Sequence, residues 1–225
     1  MTITKQQKHS LPYFKDSSIL FSSIANKKWS IFLDSGRPHS KQGRYDIFST
    51  DPIVTLVTKG LSTEINDHGV VSYSNEDPFM LVKKHLDSGL GPFDELPFNG
   101  GAMGYFSYDL ARRLENLPVV AIDEEHIAEM VVGIYNWAVV IDHQEQLSYL
   151  IANADVNCQG LVTKFSRLAD NIEEESFVVL EKPQSNMDKN GYQHAFEKIK
   201  HYLREGDSYQ VNLAQRFVSA CSGNP

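Results

Sequence analysis

An α+β fold of antiparallel sheets covered by helices is what the sequence predicts, and three observations predict it. Up to about residue 75 the chain is a succession of short β-branched and aromatic runs broken by turn residues. Two later stretches carry apolar residues at helical spacing: Phe79, Val82 and Leu86, then Leu161, Phe165, Leu168, Ala169 and Ile172. Residues 131–141 and 147–152 flank Asp142-His143-Gln144-Glu145 in the pattern of a hairpin, which requires antiparallel pairing.

Taken in order, residues 29–33 predict a strand stopped by Asp34-Ser35-Gly36, and residues 44–49 a second one across the polar loop 36–43. Strands over 53–58, 61–65 and 70–73 follow, the last two joined by Asn66-Asp67-His68-Gly69, whose residue types suit a hairpin turn. Asp77-Pro78 opens a helix, because Asp caps free amides and Pro fits the first helical position, and Gly89 ends it. Residues 100–108 return to extended structure, and 109–115 predict a short helix before Pro118. The run 131–141 is apolar enough to be buried on both faces, which places it centrally in a sheet.

The charged stretch 181–189 reads as a connector between a domain over 1–180 and a second over 190–225. In the latter, Tyr192, Phe196, Ile199 and Leu203 line one helical face and Gly206 stops the helix. Tyr209, Val211, Leu213 and Phe217 then alternate along a strand at 209–218. A helix and one strand leave apolar faces uncovered, so this segment is expected to open a second domain whose remainder the sequence lacks.

Composition removes several function classes. With 41% apolar and 22% charged residues the chain has the material for a core and too little charge for disorder. Lys and Arg total 21 against 29 Asp and Glu, a net charge of −8 with no basic block, which argues against nucleic acid or an anionic membrane as partner. The first ten residues lack the apolar core of a signal peptide, and the run 130–141 is shorter than the roughly 18 residues of a membrane span. Cys158 and Cys221 stand far apart in no metal-binding spacing, which suits two free thiols in the cytoplasm.

Most candidate chemical motifs have a structural reading. Gly100-Gly101-Ala102-Met103-Gly104 lacks the order of a phosphate loop and runs into aromatics, so its glycines are expected to admit another backbone. Asp109, Arg112, Arg113 and Glu115 suit an ion-pair network, and Asp123-Glu124-Glu125 a solvated loop rather than a metal site. The eight histidines are scattered and read as surface residues. No Ser, Cys or Lys stands in a nucleophile motif, so no catalytic residue and no metal ligand is assigned.

One constellation suggests a small ligand. An amino acid needs a cation or hydroxyl for its carboxylate, an acceptor for its ammonium and an apolar wall for its side chain. Ser35, Arg44 and Asp46 offer the first two, and Leu33, Tyr45 and Ile47 the third.

Longer strings carry a resemblance. Leu33-Asp34-Ser35-Gly36, Arg44-Tyr45-Asp46-Ile47, the segment 96–113 around Gly100-Gly101-Ala102-Met103-Gly104-Tyr105-Phe106, and Val132-Gly133-Ile134-Tyr135-Asn136-Trp137-Ala138 stand in one order. With Gly206-Asp207-Ser208-Tyr209-Gln210-Val211-Asn212-Leu213-Ala214-Gln215-Arg216-Phe217 they resemble component I of the aminodeoxychorismate and anthranilate synthases, a family of chorismate-using enzymes. The resemblance runs along the whole chain. It implies the N-terminal domain of that family with the opening helix and strand of its chorismate-binding domain.

It also implies an activity. In the aminodeoxychorismate branch, ammonia from a separate glutamine amidotransferase subunit replaces the hydroxyl of chorismate, giving 4-amino-4-deoxychorismate for para-aminobenzoate and folate. Magnesium is the family's cofactor, and a lysine in a Pro-Ile-Lys-Gly-Thr string its nucleophile; that string is not in this sequence. The chain by itself is therefore expected to be inactive. The family's N-terminal domain holds tryptophan, a role that carries over to Ser35, Gln42, Gly43, Arg44 and Tyr45. Gln42 stands where an aromatic residue is more usual, and Ser107 where a glycine is. Two other readings stand beside this one: a non-catalytic tryptophan-binding module and an anthranilate synthase component I. Arg112-Arg113 with Leu117-Pro118, and Ser35 before Gly36, favour the aminodeoxychorismate branch over the anthranilate one.

Overall fold

The computed structural model describes residues 6–86, 96–119, 123, 125–167 and 176–223. Gly89, Glu124, Leu168, Ala169 and Ile172, which enter the expectations above, lie outside those residues. The chain divides into two compact units, Met1–Ile172 and Glu173–Pro225. The division precedes the expected connector at 181–189, part of which belongs to a ladder inside the second unit.

The first unit holds two five-stranded antiparallel sheets. One runs β1 (Gln7–Leu11), β10 (Leu147–Ala152), β9 (Trp137–Asp142), β3 (Tyr45–Ser49), β2 (Ile31–Leu33). The other runs β6 (Val70–Ser74), β5 (Ser62–Asp67), β4 (Val54–Lys59), β8 (Met130–Tyr135), β7 (Gly101–Phe106). The run expected as one strand over 131–141 is two, β8 and β9, and the chain passes from one sheet to the other at Asn136. It crosses between the same sheets once more, from β3 to β4. Strands that change sheets in this way make the corners of packed β-layers.

Helices cover one face of each sheet. Helices α1 (Ser18–Ala25) and α3 (Cys158–Ser166) bring Leu20, Ile24, Cys158 and Phe165 onto Phe48, Trp137, Val139, Ile141 and Leu150 of the first sheet. Phe165 sets its ring edge-on to that of Phe48 at 5.6 Å and tilted against Trp137 at 6.1 Å. Helix α2 (Pro78–Leu86) lays Leu81 and Val82 on Val54, Leu56, Ile65, Met130, Val132 and Ile134 of the second sheet. Asp77 caps α2 as its residue type requires, accepting from the amides of Phe79 at 2.8 Å and Met80 at 3.1 Å. Burial of each such large side chain is worth about 1.5–3 kcal/mol.

Local readings of two further segments hold in part. A Cβ on Gly104 would stand 2.0 Å from the Val131 carbonyl oxygen, so β7 approaches β8 as only a glycine permits. Residues 108–113 form a 3-10 turn, in which Arg112 pairs with Asp109 at 2.8 Å. Arg113 is spent differently, donating to the carbonyls of Gly60, Asn75 and Glu76.

In the second unit, α4 (Lys189–Glu205) is capped by Asp188, which accepts from the Gly191 amide at 2.7 Å, and ends at Gly206 with φ +80°. Two short ladders accompany it: β11 (Val178–Val179) with β14 (Cys221–Ser222), and β12 (Gln184–Ser185) with β13 (Phe217–Val218). The strand expected over 209–218 thus reduces to its last two residues, and its partner comes from the segment read as a connector.

Candidate functional site

The residues singled out for a small ligand do converge. β3 carries Tyr45 and Asp46, and Arg44 immediately precedes it. The loop after β2 folds back so that Ser35 lies on Gly43, where an added Cβ would stand 2.3 Å from the Ser35 Cβ. Arg37 stitches the loop, donating from Nε to the Gly43 carbonyl at 2.8 Å and from Nη2 to that of Lys41 at 3.1 Å. Gln42 is exposed, and its amide donates to Ser40 Oγ at 3.2 Å. Ser35, Gly43, Arg44 and Tyr45 thus form one cluster, with Gln42 at its rim.

The electrostatics differ from the sequence reading at Asp46. Its side chain is fully buried and accepts from Ser17 Oγ, from His143 Nε2 at 2.7 Å and from the Ser35 amide at 2.8 Å. Burial pushes the Asp46 carboxyl up. The bonds from Ser17, His143 and Ser35 outweigh that and hold it below the ordinary carboxylate value. An oxygen pair so engaged is an internal anchor rather than a free acceptor for an ammonium group. The Ser35 hydroxyl oxygen is buried beside it without a well-formed hydrogen bond.

His143 corrects the reading of the histidines as surface residues, since its side chain is 2% exposed and its Nδ1 lies 3.1 Å from the Tyr13 hydroxyl. Ser17 and Tyr13 belong to the same network. The pairing of β3 with β9 brings this network together, and nothing local to residues 13, 17 or 143 announces it.

Arg44 is held as firmly. Its Nε lies 3.2 and 3.1 Å from the two carboxylate oxygens of Asp142, and its Nη2 2.7 Å from Oδ2. The guanidinium carbon sits 4.7 Å from the centre of the Tyr45 ring. Burial raises the Asp142 carboxyl; the Arg44 hydrogen bond and the amides of Glu145 and Gln144 more than offset it, leaving a net lowering. A cation so oriented, against an aromatic ring, offers a donor to a carboxylate and a wall to a side chain.

Cavities lie elsewhere in the first unit. One, of about 420 Å³, is lined by Trp29, Ile31, Met103, Tyr105 and Tyr135 among others; burial pushes the Tyr135 phenol up to about 12. Another, of about 530 Å³, is lined by Asp109, Asp123, Glu125 and Glu129 with Ser107 and Arg112. Among the described residues no three of His, Cys, Asp and Glu stand together as a metal site would require. The described residues thus offer no site that fits the magnesium implied by the resemblance. Nor is any described helix long and apolar enough to cross a membrane.

The model of the chorismate binding enzyme family matches residues 32–225. The chain is 36% identical over 207 residues to aminodeoxychorismate synthase component 1 of Escherichia coli (strain K12), covering 91% of this chain and 45% of that protein. It is 36% identical over 221 residues to the protein of the same name from Klebsiella aerogenes, covering 96% and 48%. The chain thus spans about half the length of the curated relatives it matches. Anthranilate synthase component I from Streptococcus pneumoniae TIGR4 superposes on 83% of the chain, and 44% of its own, with a TM-score of 0.62 at 22% identity. That likeness shows the fold: an α+β arrangement of antiparallel sheets in the manner of its N-terminal region. On the match over residues 32–225, the chain belongs to the chorismate-binding enzyme family.

Proposed function

We propose that the chain is the N-terminal part of an aminodeoxychorismate synthase component 1. In that reading residues 1–180 form an aromatic amino-acid domain, and residues 190–225 open the domain that holds chorismate. The observation that carries it is the similarity to two proteins of that name over more than nine-tenths of this chain. The parent reaction is the transfer of ammonia, supplied by a glutamine amidotransferase subunit, onto chorismate in the cytoplasm, with magnesium as cofactor. Both the nucleophile and the metal ligands would lie beyond this sequence, in the part of the relatives that it does not match.

The role of this chain's own residues is to hold tryptophan. Arg44 and Ser35 take its carboxylate, the Tyr45 ring and Leu33 wall its indole, and Gly43 and Gln42 shape the rim. Two measurements test the proposal. Chorismate, ammonia and magnesium, with the lyase that releases para-aminobenzoate as reporter, are expected to give no product with the 225-residue chain alone. Turnover would overturn the inactivity. Calorimetry with tryptophan is expected to show binding that Arg44→Ala abolishes; no heat at millimolar tryptophan would remove the binding role.

A further inference from the structure

The Arg44 guanidinium has five N–H groups in a planar fork, which can take two carboxylates on different edges. Asp142 occupies the side edge, through Nε and one hydrogen of Nη2. Nη1 makes no hydrogen bond among the described residues, so the end edge, formed by Nη1 and the second hydrogen of Nη2, is unused. Asp142 is itself fixed independently of Arg44. Its side chain is 9% exposed against 44% for Arg44, and its Oδ1 accepts from the amides of Gln144 at 2.9 Å and Glu145 at 3.1 Å in the β9–β10 turn. The buried partner is thus anchored in a rigid hairpin, and the exposed one leans on it across the Tyr45 ring.

From this geometry we propose that Asp142 is a positioning residue of the amino-acid site: it grips one edge of Arg44 so that the other faces the ligand carboxylate. The inference rests on the reading that Arg44 binds that carboxylate. A free arginine side chain would have to give up its rotamer freedom on binding, and one clamped on two sides has already done so. The opposite expectation is also definite. If the Asp142 charge merely competed for Arg44, removing it would strengthen binding.

The test is calorimetry on the full chain with two probes, tryptophan and tryptamine, which shares the indole and ammonium groups and lacks the carboxylate. Asp142→Asn keeps an oxygen for the turn amides and loses the charged clamp. It is expected to weaken tryptophan about tenfold, the scale of one charge-assisted hydrogen bond, and to leave tryptamine unchanged. Asp142→Glu is expected to restore part of the tryptophan affinity. A merely structural loss would weaken both probes together, and thermal melts of each variant check the fold. Unchanged or tighter tryptophan binding by Asp142→Asn, or equal losses for both probes, overturns the positioning role while an effect of Arg44→Ala leaves the site itself standing. Indifference of tryptophan binding to Arg44→Ala, or no binding at all, overturns both.

Discussion

Asp46 joins three chain segments through hydrogen bonds to one buried carboxylate. Ser17 fixes the start of α1, His143 the β9–β10 turn and Ser35 the loop after β2. Because the folded carboxyl is held below its unfolded value of about 3.9, it contributes stability that is complete above that pH and is lost as pH falls toward the folded value. Asp142 acts with the same sign. Denaturant titrations from pH 7 to pH 3 are therefore expected to show stability falling below about pH 4, and less steeply in Asp46→Asn than in the native chain. Equal slopes would mean that the network does not hold the charge. Gly43 makes a second, steric case. Gly43→Ala puts a methyl into Ser35, and the loop has to move; a loss of about 1–3 kcal/mol is expected, together with weaker tryptophan binding.

Among the elements, α3 sets a fully buried ring against the first sheet, and Phe165→Ala is expected to cost about 3–5 kcal/mol by chemical denaturation, since that ring meets both Phe48 and Trp137. A value under about 1 kcal/mol, the scale of deleting a single methyl group, would show that the helix is not part of the first core. That helix was legible in the sequence because its apolar spacing is regular, as were α2, α4 and the strands β2 to β6. Helix α1 was not. Its sequence, Ser-Ile-Leu-Phe-Ser-Ser-Ile-Ala, mixes serine and β-branched residues of middling helix propensity, and Ser17 gives its hydroxyl to Asp46 instead of capping. Burial of Leu20 and Ile24 under the sheet makes the helix, and that is tertiary information. The break at Asn136 was hidden for the opposite reason. Burial on both faces erases the alternation that would mark two strands, so β8 and β9 read as one. Of the site, Ser35 and residues 43–45 were visible as local strings, whereas the Asp46–His143 bond spans 97 positions and depends on the β3–β9 register.

At the scale of the whole molecule, the two units differ in how their apolar side chains are used. Among the described residues, both cores draw on residues between Leu11 and Phe165, all in the first unit. In the second unit α4 has no buried residue, and Tyr192, Phe196 and Leu203 are exposed along the face that the sequence marks as apolar. A 17-residue helix with no buried residue, beside two two-residue ladders, lacks the packing from which most helical stability in proteins comes. Hydrogen exchange in a dilute sample is therefore expected to be fast in α4 and at Phe217–Val218 and slow across the β9–β10 hairpin, whose strands are buried. The exposed apolar face should also drive self-association at higher concentration, visible by light scattering and absent from a chain ending at Ile172. That shorter chain keeps every residue of both cores and is expected to melt as cooperatively as the full one. Protection of α4 equal to that of the hairpin, or loss of the fold on removing residues 173–225, would mean that the second unit is stabilised as strongly as the first, and its exposed stripe would then need another explanation.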